Sequence, residues 1–195
     1  MGKSGYRPER MEACVVRVHL GCGKIRLPGY INVDILCTPA VDLVADLSQL
    51  PWRRGAVDMI YSCAAIEHFG RHEWIDLLKE WGRVLKPKGL LRLSTADFDA
   101  CVARYQNKHD LAELLGLLIG GQKDEYDWHG MIFNFDLLRD GLQLAGFRNV
   151  KRYDWRETEL GRLGIDDFSQ AYLPHMDKQN GRLMMLNVEA IYDPT

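Results

Sequence analysis

At 195 residues, 47% hydrophobic and 27% charged, the chain is long enough for one domain with a sizeable core and cramped for two. A formal net charge of −2 and a pI near 6.3 exclude a general electrostatic attraction to nucleic acid, so no nucleic-acid partner is expected. Five cysteines, at positions 14, 22, 37, 63 and 101, are odd in number and share no metal-ligand spacing, which fits reduced thiols in a cytoplasmic setting.

No apolar run reaches the length of a membrane span, so no membrane partner is expected. Met1 to Glu12 is polar and basic and reads as a flexible leader ahead of a single domain over 13–195. Gly2 does not open a myristoylation site, because Tyr6 stands where Ser or Thr is needed.

Val15 to Leu20 is rich in β-branched residues and predicts a first strand, closed by Gly21-Cys22-Gly23. The two glycines can adopt backbone angles closed to other residues and let a ligand approach the main chain. Lys24 to Tyr30 contains Pro28-Gly29 and predicts a loop rather than a helix; Ile31 to Ile35 predicts the second strand. Asp34, near its end, is placed to accept two hydrogen bonds from a ribose diol, with a plain turn residue as the alternative. Val41 to Ala45 is a short third strand ending at Asp46-Leu47, and Val57 to Ser62 is the fourth.

From Glu73 to Leu85, Trp74, Leu77, Leu78, Trp81 and Leu85 recur at helical steps, an apolar stripe that reads as core; Pro87-Gly89 is expected to end this helix. Leu90 to Ser94 predicts a fifth strand, and Asp97 the cap of a helix through Tyr105. Leu111, Leu114, Leu115 and Leu118 mark another amphipathic stretch before Gly120-Gly121. Gln122 to Met131 is polar, aromatic and nonperiodic. A helix over Asn134 to Ala145, closed by Gly146, leads to a strand over Phe147 to Tyr153. Asp154 to Arg182 is irregular, and Leu183 to Tyr192 alternates as a last strand. Strands interleaved with helices predict an α/β domain on a mostly parallel sheet, and two long irregular connections of this kind are usually binding loops or lids.

Together these segments resemble the class I S-adenosylmethionine-dependent methyltransferases over most of Val15 to Phe147. His19-Leu-Gly-Cys-Gly23 is similar to the family's glycine motif, Asn32-Val-Asp34 to its acid after strand two, and Ala45-Asp46-Leu47 to its adenine-contacting step. Val57 to Phe69, with Glu67-His68, resembles the fourth-strand motif, and Glu80 to Ser94 the helix, Pro-Gly turn and fifth strand. Leu-Gly-Cys-Gly, Leu27-Pro-Gly29, Asn-Val-Asp, Asp127-Trp-His129 and Ala145-Gly-Phe147 are closest to a branch of small bacterial-type members, some of whose neighbours are linked to glycan modification. The resemblance implies a Rossmann-like sheet of about seven strands, the last two an antiparallel hairpin at one edge. One departure stands out: Asp34 lies 13 positions after Gly21, where a full turn-helix-strand crossover needs roughly twenty. The first crossover helix is therefore expected to be short or absent, leaving one wall of the cofactor pocket to be accounted for.

The resemblance further implies S-adenosylmethionine held by Gly21, Cys22, Gly23, Asp34, Asp46, Leu47, Ser62, Cys63 and Glu67, with Cys22 a small side chain rather than a nucleophile. Asp46 suits a turn or helix cap as well as the adenine amino group. His129 is the candidate general base, against a loop-anchoring role, and His68 is either acceptor-facing or structural. The His68 to His72 spacing lacks a third ligand, so no metal is expected. Tyr126, Trp128, Tyr172 and His175 are candidate acceptor walls. The expected activity is methyl transfer to a small molecule or saccharide; the alternatives are a protein or RNA acceptor, or a non-catalytic scaffold of the same fold.

Overall fold

The computed structural model describes residues 15–195, so the leader expected at 1–12 lies outside the described residues. A seven-stranded sheet in the order β3-β2-β1-β4-β5-β9-β6 forms the frame. Its strands are β1 Arg17–Leu20, β2 Ile31–Asp34, β3 Leu43–Val44, β4 Val57–Cys63, β5 Leu85–Ala96, β6 Phe147–Arg152 and β9 Met185–Tyr192. β1 to β5 pair in parallel, and β9 runs antiparallel to both β5 and β6. The antiparallel C-terminal pair is thus formed, with β9 slotted inward so that the earlier strand β6 is the edge. Strand order reverses at β1, whose neighbours are β2 on one side and β4 on the other. The crevice beyond the carboxyl ends of β1 and β4 is where ligands bind in such sheets.

On one face lie α1 Trp74–Val84 and α4 Phe135–Leu144. The α1 stripe is core, with Trp81, Leu78 and Leu77 almost fully buried. Gly141 admits the close approach of the two helices, because a Cβ there would sit 2.0 Å from Trp74 Cη2. Asn134 caps α4 by accepting the Leu137 N–H, and Asp97 caps α2 (Phe98–Lys108) through the Asp99 N–H. The helix predicted over Glu73 to Leu85 runs from Trp74 to Val84, and β5 begins at once, earlier than the expected Leu90: Leu85 pairs with Val57 before a bulge re-enters register at Leu90 opposite Met59. Pro87, which cannot donate to a ladder, sits in that bulge.

The other face differs. Residues 21–30 contain no helix. The loop is held by Asn32, whose Nδ2 donates to Leu27 O and Tyr30 O and whose Oδ1 accepts the Leu27 N–H. One buried amide does the work of helix backbone bonds and keeps Leu27 and Tyr30 against the sheet. The missing wall is completed from the far end of the chain: α5 Glu159–Arg162 lays Leu160 against Leu27, Tyr30, Met59, Tyr61 and Cys63. After a turn at Phe168–Gln170, the two-stranded ribbon β7 Tyr172–Leu173 and β8 Arg182–Leu183 returns the chain to β9. Among the described residues, no helix is long and apolar enough to cross a membrane.

Candidate active site

At the carboxyl end of β1 the chain turns through Gly21 (φ +70°) and Gly23 (φ +55°), conformations that L side chains rarely take. Gly21 N and Cys22 N donate to Val33 O at 2.9 and 3.0 Å, which fastens the turn to β2. A Cβ at Gly21 would lie 2.5 Å from Ala65 Cβ, so the loop after β4 presses directly on this residue; beside Gly23 there is open space. Asp34 reaches back into the turn. Its Oδ2 accepts the Gly23 N–H at 2.7 Å and its Oδ1 the Leu36 N–H at 2.9 Å. Each carboxylate oxygen retains a second lone pair for a ligand hydroxyl.

These groups open onto a cavity of about 700 Å³, within the range of small-molecule sites. Gly21, Cys22, Gly23, Asp34, Asp46, Leu47 and Cys63, all anticipated from sequence, line it. Asp46 Oδ1 is engaged by the Ser48 N–H and hydroxyl, so the turn-capping role holds, while the residue still faces the cavity. Burial, then the Asp34 charge, pushes the Cys22 thiol up to about 11, and burial raises the Cys63 thiol well above its ordinary value, so neither is a thiolate nucleophile at neutral pH. The same cavity is lined by His68, Phe69, Tyr126 and Trp128 and, from the C-terminal segment, by Asp167 and Phe168.

Five anticipated residues stand off the cavity. Ser62 is fully buried and donates its hydroxyl to Leu20 O, tying β4 to β1. Glu67 is buried beneath the 122–131 loop, where its backbone O accepts Gly130 N and Met131 N; burial raises its carboxyl, and Oε2 has no partner. His129 is half-buried and turns Nδ1 to Leu117 O at 3.1 Å. It stands behind His68, ring centroids 5.0 Å apart and edge to face, and its pKa is lowered by burial and then by the His68 charge. His68 itself lines the cavity and bonds Trp128 O through Nδ1. Tyr172 and His175 are likewise not at this cavity; Tyr172 Oη receives Arg156 Nη2 and Trp155 Nε1 instead.

Sequence reasoning missed three lining residues of consequence: His19, Asp167 and Phe168. His19 falls in the first strand and in the glycine motif without a role of its own, though a polar residue two positions before Gly21 was a visible signal. Asp167 and Phe168 carry no local pattern; only the unfilled place of a crossover helix could have pointed to them.

A sheet of this order, whose glycine turn and strand-end acid open on one cavity at the reversal of strand order, defines a class I nucleotide-cofactor domain of the methyltransferase type. Residues 19–93 match the family model described as "Methyltransferase domain". The match runs from β1 into β5, and this part of the chain is thereby similar to methyltransferase domains. Solved structures share the fold at low identity. The S-adenosylmethionine-dependent methyltransferase of Thermotoga maritima is 16% identical with a TM-score of 0.59, covering 91% of this chain and 82% of that one. One from Methanosarcina mazei is 14% identical with a TM-score of 0.58 and 95% coverage of both chains. The 1,6-didemethyltoxoflavin N1-methyltransferase of Burkholderia thailandensis, whose structure holds its substrate and S-adenosylhomocysteine, is 15% identical with a TM-score of 0.58, covering 91% and 71%. No curated protein matches the sequence.

The residues present fit the cofactor. Gly23 leaves room where a side chain would intrude, Asp34 keeps lone pairs for a diol, and Asp34 and Asp46 supply negative charge for a ligand that carries a sulfonium and an ammonium. When bound, that cofactor supplies an electrophilic methyl group whose departure leaves a neutral thioether.

Proposed function

We propose that this chain is an S-adenosylmethionine-dependent methyltransferase whose acceptor, an uncharged or cationic small molecule or saccharide, shares the cavity with the cofactor on a side taken here as the acceptor arm. The observation that carries this reading is the lining of the cavity: it includes Asp124, Glu125, Asp127 and Asp167 and the aromatic Phe69, Tyr126, Trp128 and Phe168, with Lys24 the one lysine or arginine on its wall among the described residues. A cavity wall rich in carboxylates repels phosphates and uronates and attracts ammonium groups. Aromatic faces suit sugar rings, flat heterocycles and cations alike. A nucleic-acid acceptor would meet the wrong charge at the site itself, beyond the lack of a basic face in the sequence.

In this reading Asp34 accepts from the ribose hydroxyls, Asp46 and Leu47 border the adenine, and the Gly21–Gly23 turn passes under the methionine portion. His68 is the imidazole on the acceptor arm, and His129 acts through it by fixing its ring. The enzyme's main task is to bring acceptor and methyl group into line, since the leaving thioether needs no proton.

The test is a panel of amines, phenols, neutral and amino sugars and their phosphorylated or carboxylated counterparts, offered with radiolabelled S-adenosylmethionine. Label should pass to neutral or cationic members. Preferential labelling of phosphorylated or carboxylated members, or of RNA, would overturn the reading. Calorimetric binding of S-adenosylmethionine without transfer to any acceptor would favour a scaffold role.

A further inference from the structure

The glycine motif opens on an imidazole, His19, to which no role has yet been assigned. His19 is 3% exposed, yet its ring lines the cavity. Its register neighbours are Asn32 on β2 and Tyr61 on β4, so all three side chains project from the sheet face that lacks the crossover helix. His19 Nδ1 lies 3.1 Å from Asn32 Oδ1. The direction of that bond is determined by Asn32, whose Nδ2 is already committed to three acceptors: Leu27 O, Tyr30 O and Asp42 Oδ2, the last at 2.9 Å. The oxygen therefore faces His19, and Nδ1 carries the proton. Nε2 is left as a lone pair. It has no hydrogen-bond partner among the described residues, and it is not sealed in the core.

We propose that His19 is the catalytic proton acceptor of the methyl transfer, receiving the N–H or O–H proton of the acceptor at Nε2. This rests on the methyltransferase reading and on a small acceptor reaching the β1 end of the cavity. The step balances: the acceptor heteroatom forms the new bond to the methyl carbon, the carbon–sulfur electron pair returns to sulfur, and the acceptor's proton passes to Nε2. The resulting imidazolium keeps its Nδ1–H bond to Asn32. Two carboxylates face it, Asp167 from the C-terminal segment and Asp34 from β2, and both favour the charged ring. Tyr61, the third titratable group against the ring, is neutral because it donates its own hydroxyl to Asp167. Burial is the larger effect and lowers the His19 pKa, so the ring awaits the acceptor in its neutral, proton-accepting form at pH 7. This arrangement differs from His68 and His129, each of which turns Nδ1 to a backbone carbonyl rather than a side-chain amide and stands on the irregular part of the fold.

The test uses the full chain and nitrogen-15 spectra of its imidazoles, with S-adenosylhomocysteine as the bound probe. His19 should show a protonated Nδ1 and a lone pair on Nε2 at pH 7, unchanged when the probe binds. A protonated Nε2, or an Nε2 drawn into a hydrogen bond by the probe alone, would overturn the proposal, the latter by making His19 a cofactor contact. In parallel, His19→Asn should lower kcat on the best panel acceptor by about 100-fold or more. S-adenosylhomocysteine affinity should stay within about threefold, and the loss of rate seen below neutral pH in the wild type should vanish. Asn32→Leu, which keeps His19 but frees its tautomer, should lower kcat about tenfold. A His19→Asn variant with kcat within threefold of wild type would equally overturn the assignment. If the wild type methylates nothing on the panel, the acceptor reading falls, and the nitrogen spectra still decide the state of His19.

Discussion

Tyr30 donates a 2.7 Å hydrogen bond from its hydroxyl to Glu159 Oε1, joining residues 129 positions apart. The other Glu159 oxygen takes Arg92 Nη1 at 2.8 Å, and Arg92 is held in turn by Glu189 on β9. These bonds lock α5 over the helix-free loop, so the wall that a crossover helix would supply between β1 and β2 comes from the C-terminal segment. A shortened motif near the start of the chain is thereby repaired near its end.

Tyr30→Phe should destabilise the fold by about 1–3 kcal/mol, because it strips a donor from a charged acceptor that stays behind. For a chain of this size that is roughly 2–12 °C in the thermal midpoint, measurable by calorimetry. The clamp also predicts a pH window. Burial raises the Glu159 carboxyl, but the bonds from Arg92 and Tyr30 outweigh it and hold its pKa down at about 2. A depressed folded pKa means stability that is complete above the ordinary value near 4.5 and is lost as pH falls toward 2. Urea midpoints of wild type and Glu159→Gln should differ at pH 7 and converge toward pH 2. A gap that persists there would show that the carboxylate's charge is not what the clamp uses.

Asp34→Ala should weaken S-adenosylhomocysteine binding far more than His129→Ala. Asp34 anchors the Gly23 and Leu36 amides and offers its remaining lone pairs to the ligand, whereas His129 stands off the cavity. Losing hydrogen bonds to a charged acceptor costs about 1.5–3 kcal/mol each, so the dissociation constant should rise at least tenfold for Asp34→Ala and stay within threefold for His129→Ala. Equal losses in calorimetric titrations would dissolve this division of roles.

The sheet was readable from sequence because its strands are short apolar runs ending in glycines and acids. Asp34, Asp46 and Cys63 were readable because strand ends of this fold converge on one crevice. Ser62 was misplaced by one position of strand alternation, since its neighbour Cys63 takes the cavity side while Ser62 bonds Leu20 O. Asp167 and Phe168 were not readable at all. They reach the site through contacts of long sequence separation, Asp167 to Tyr61 being 106 positions apart, and no local periodicity encodes such a contact. His19 lay within the quoted motif, but its role depends on the amide of Asn32, which only the three-dimensional pairing reveals.

The glycine turn offers a graded test. In Gly21→Ala a new Cβ meets Ala65 Cβ at 2.5 Å, on a backbone already at φ +70°. Left-handed strain of about 1–2 kcal/mol and overpacking of about 1–3 kcal/mol combine to roughly 2–5 kcal/mol. Gly23→Ala carries the same class of strain at φ +55° but meets open space, so the loss should be confined to about 1–2 kcal/mol. Its methyl projects where the cofactor should pass, however. Gly23→Ala is therefore expected to be the more stable of the two variants in thermal denaturation and still to bind S-adenosylhomocysteine at least tenfold more weakly than wild type.

Glu125 tests the charge of the acceptor arm with the least structural disturbance. It lines the cavity, and among the described residues its carboxylate makes no hydrogen bond, unlike Asp124, Asp127 and Asp167, which cap turns. Glu125→Gln should leave the thermal midpoint within about 2 °C, as surface substitutions away from packed features do. At an exposed site, one charge contributes on the order of 0.5–1 kcal/mol toward a cation, so KM for an amine acceptor should rise about two- to fivefold with kcat retained. Salt screens such an interaction, and the gap between wild type and variant should narrow as ionic strength rises from 0.05 to 0.5 M, the range over which the Debye length falls below about 5 Å. For a neutral sugar acceptor neither the substitution nor the salt should matter. An amine KM indifferent to both would show that recognition in this arm comes from Trp128, Tyr126 and Phe168 rather than from its carboxylates.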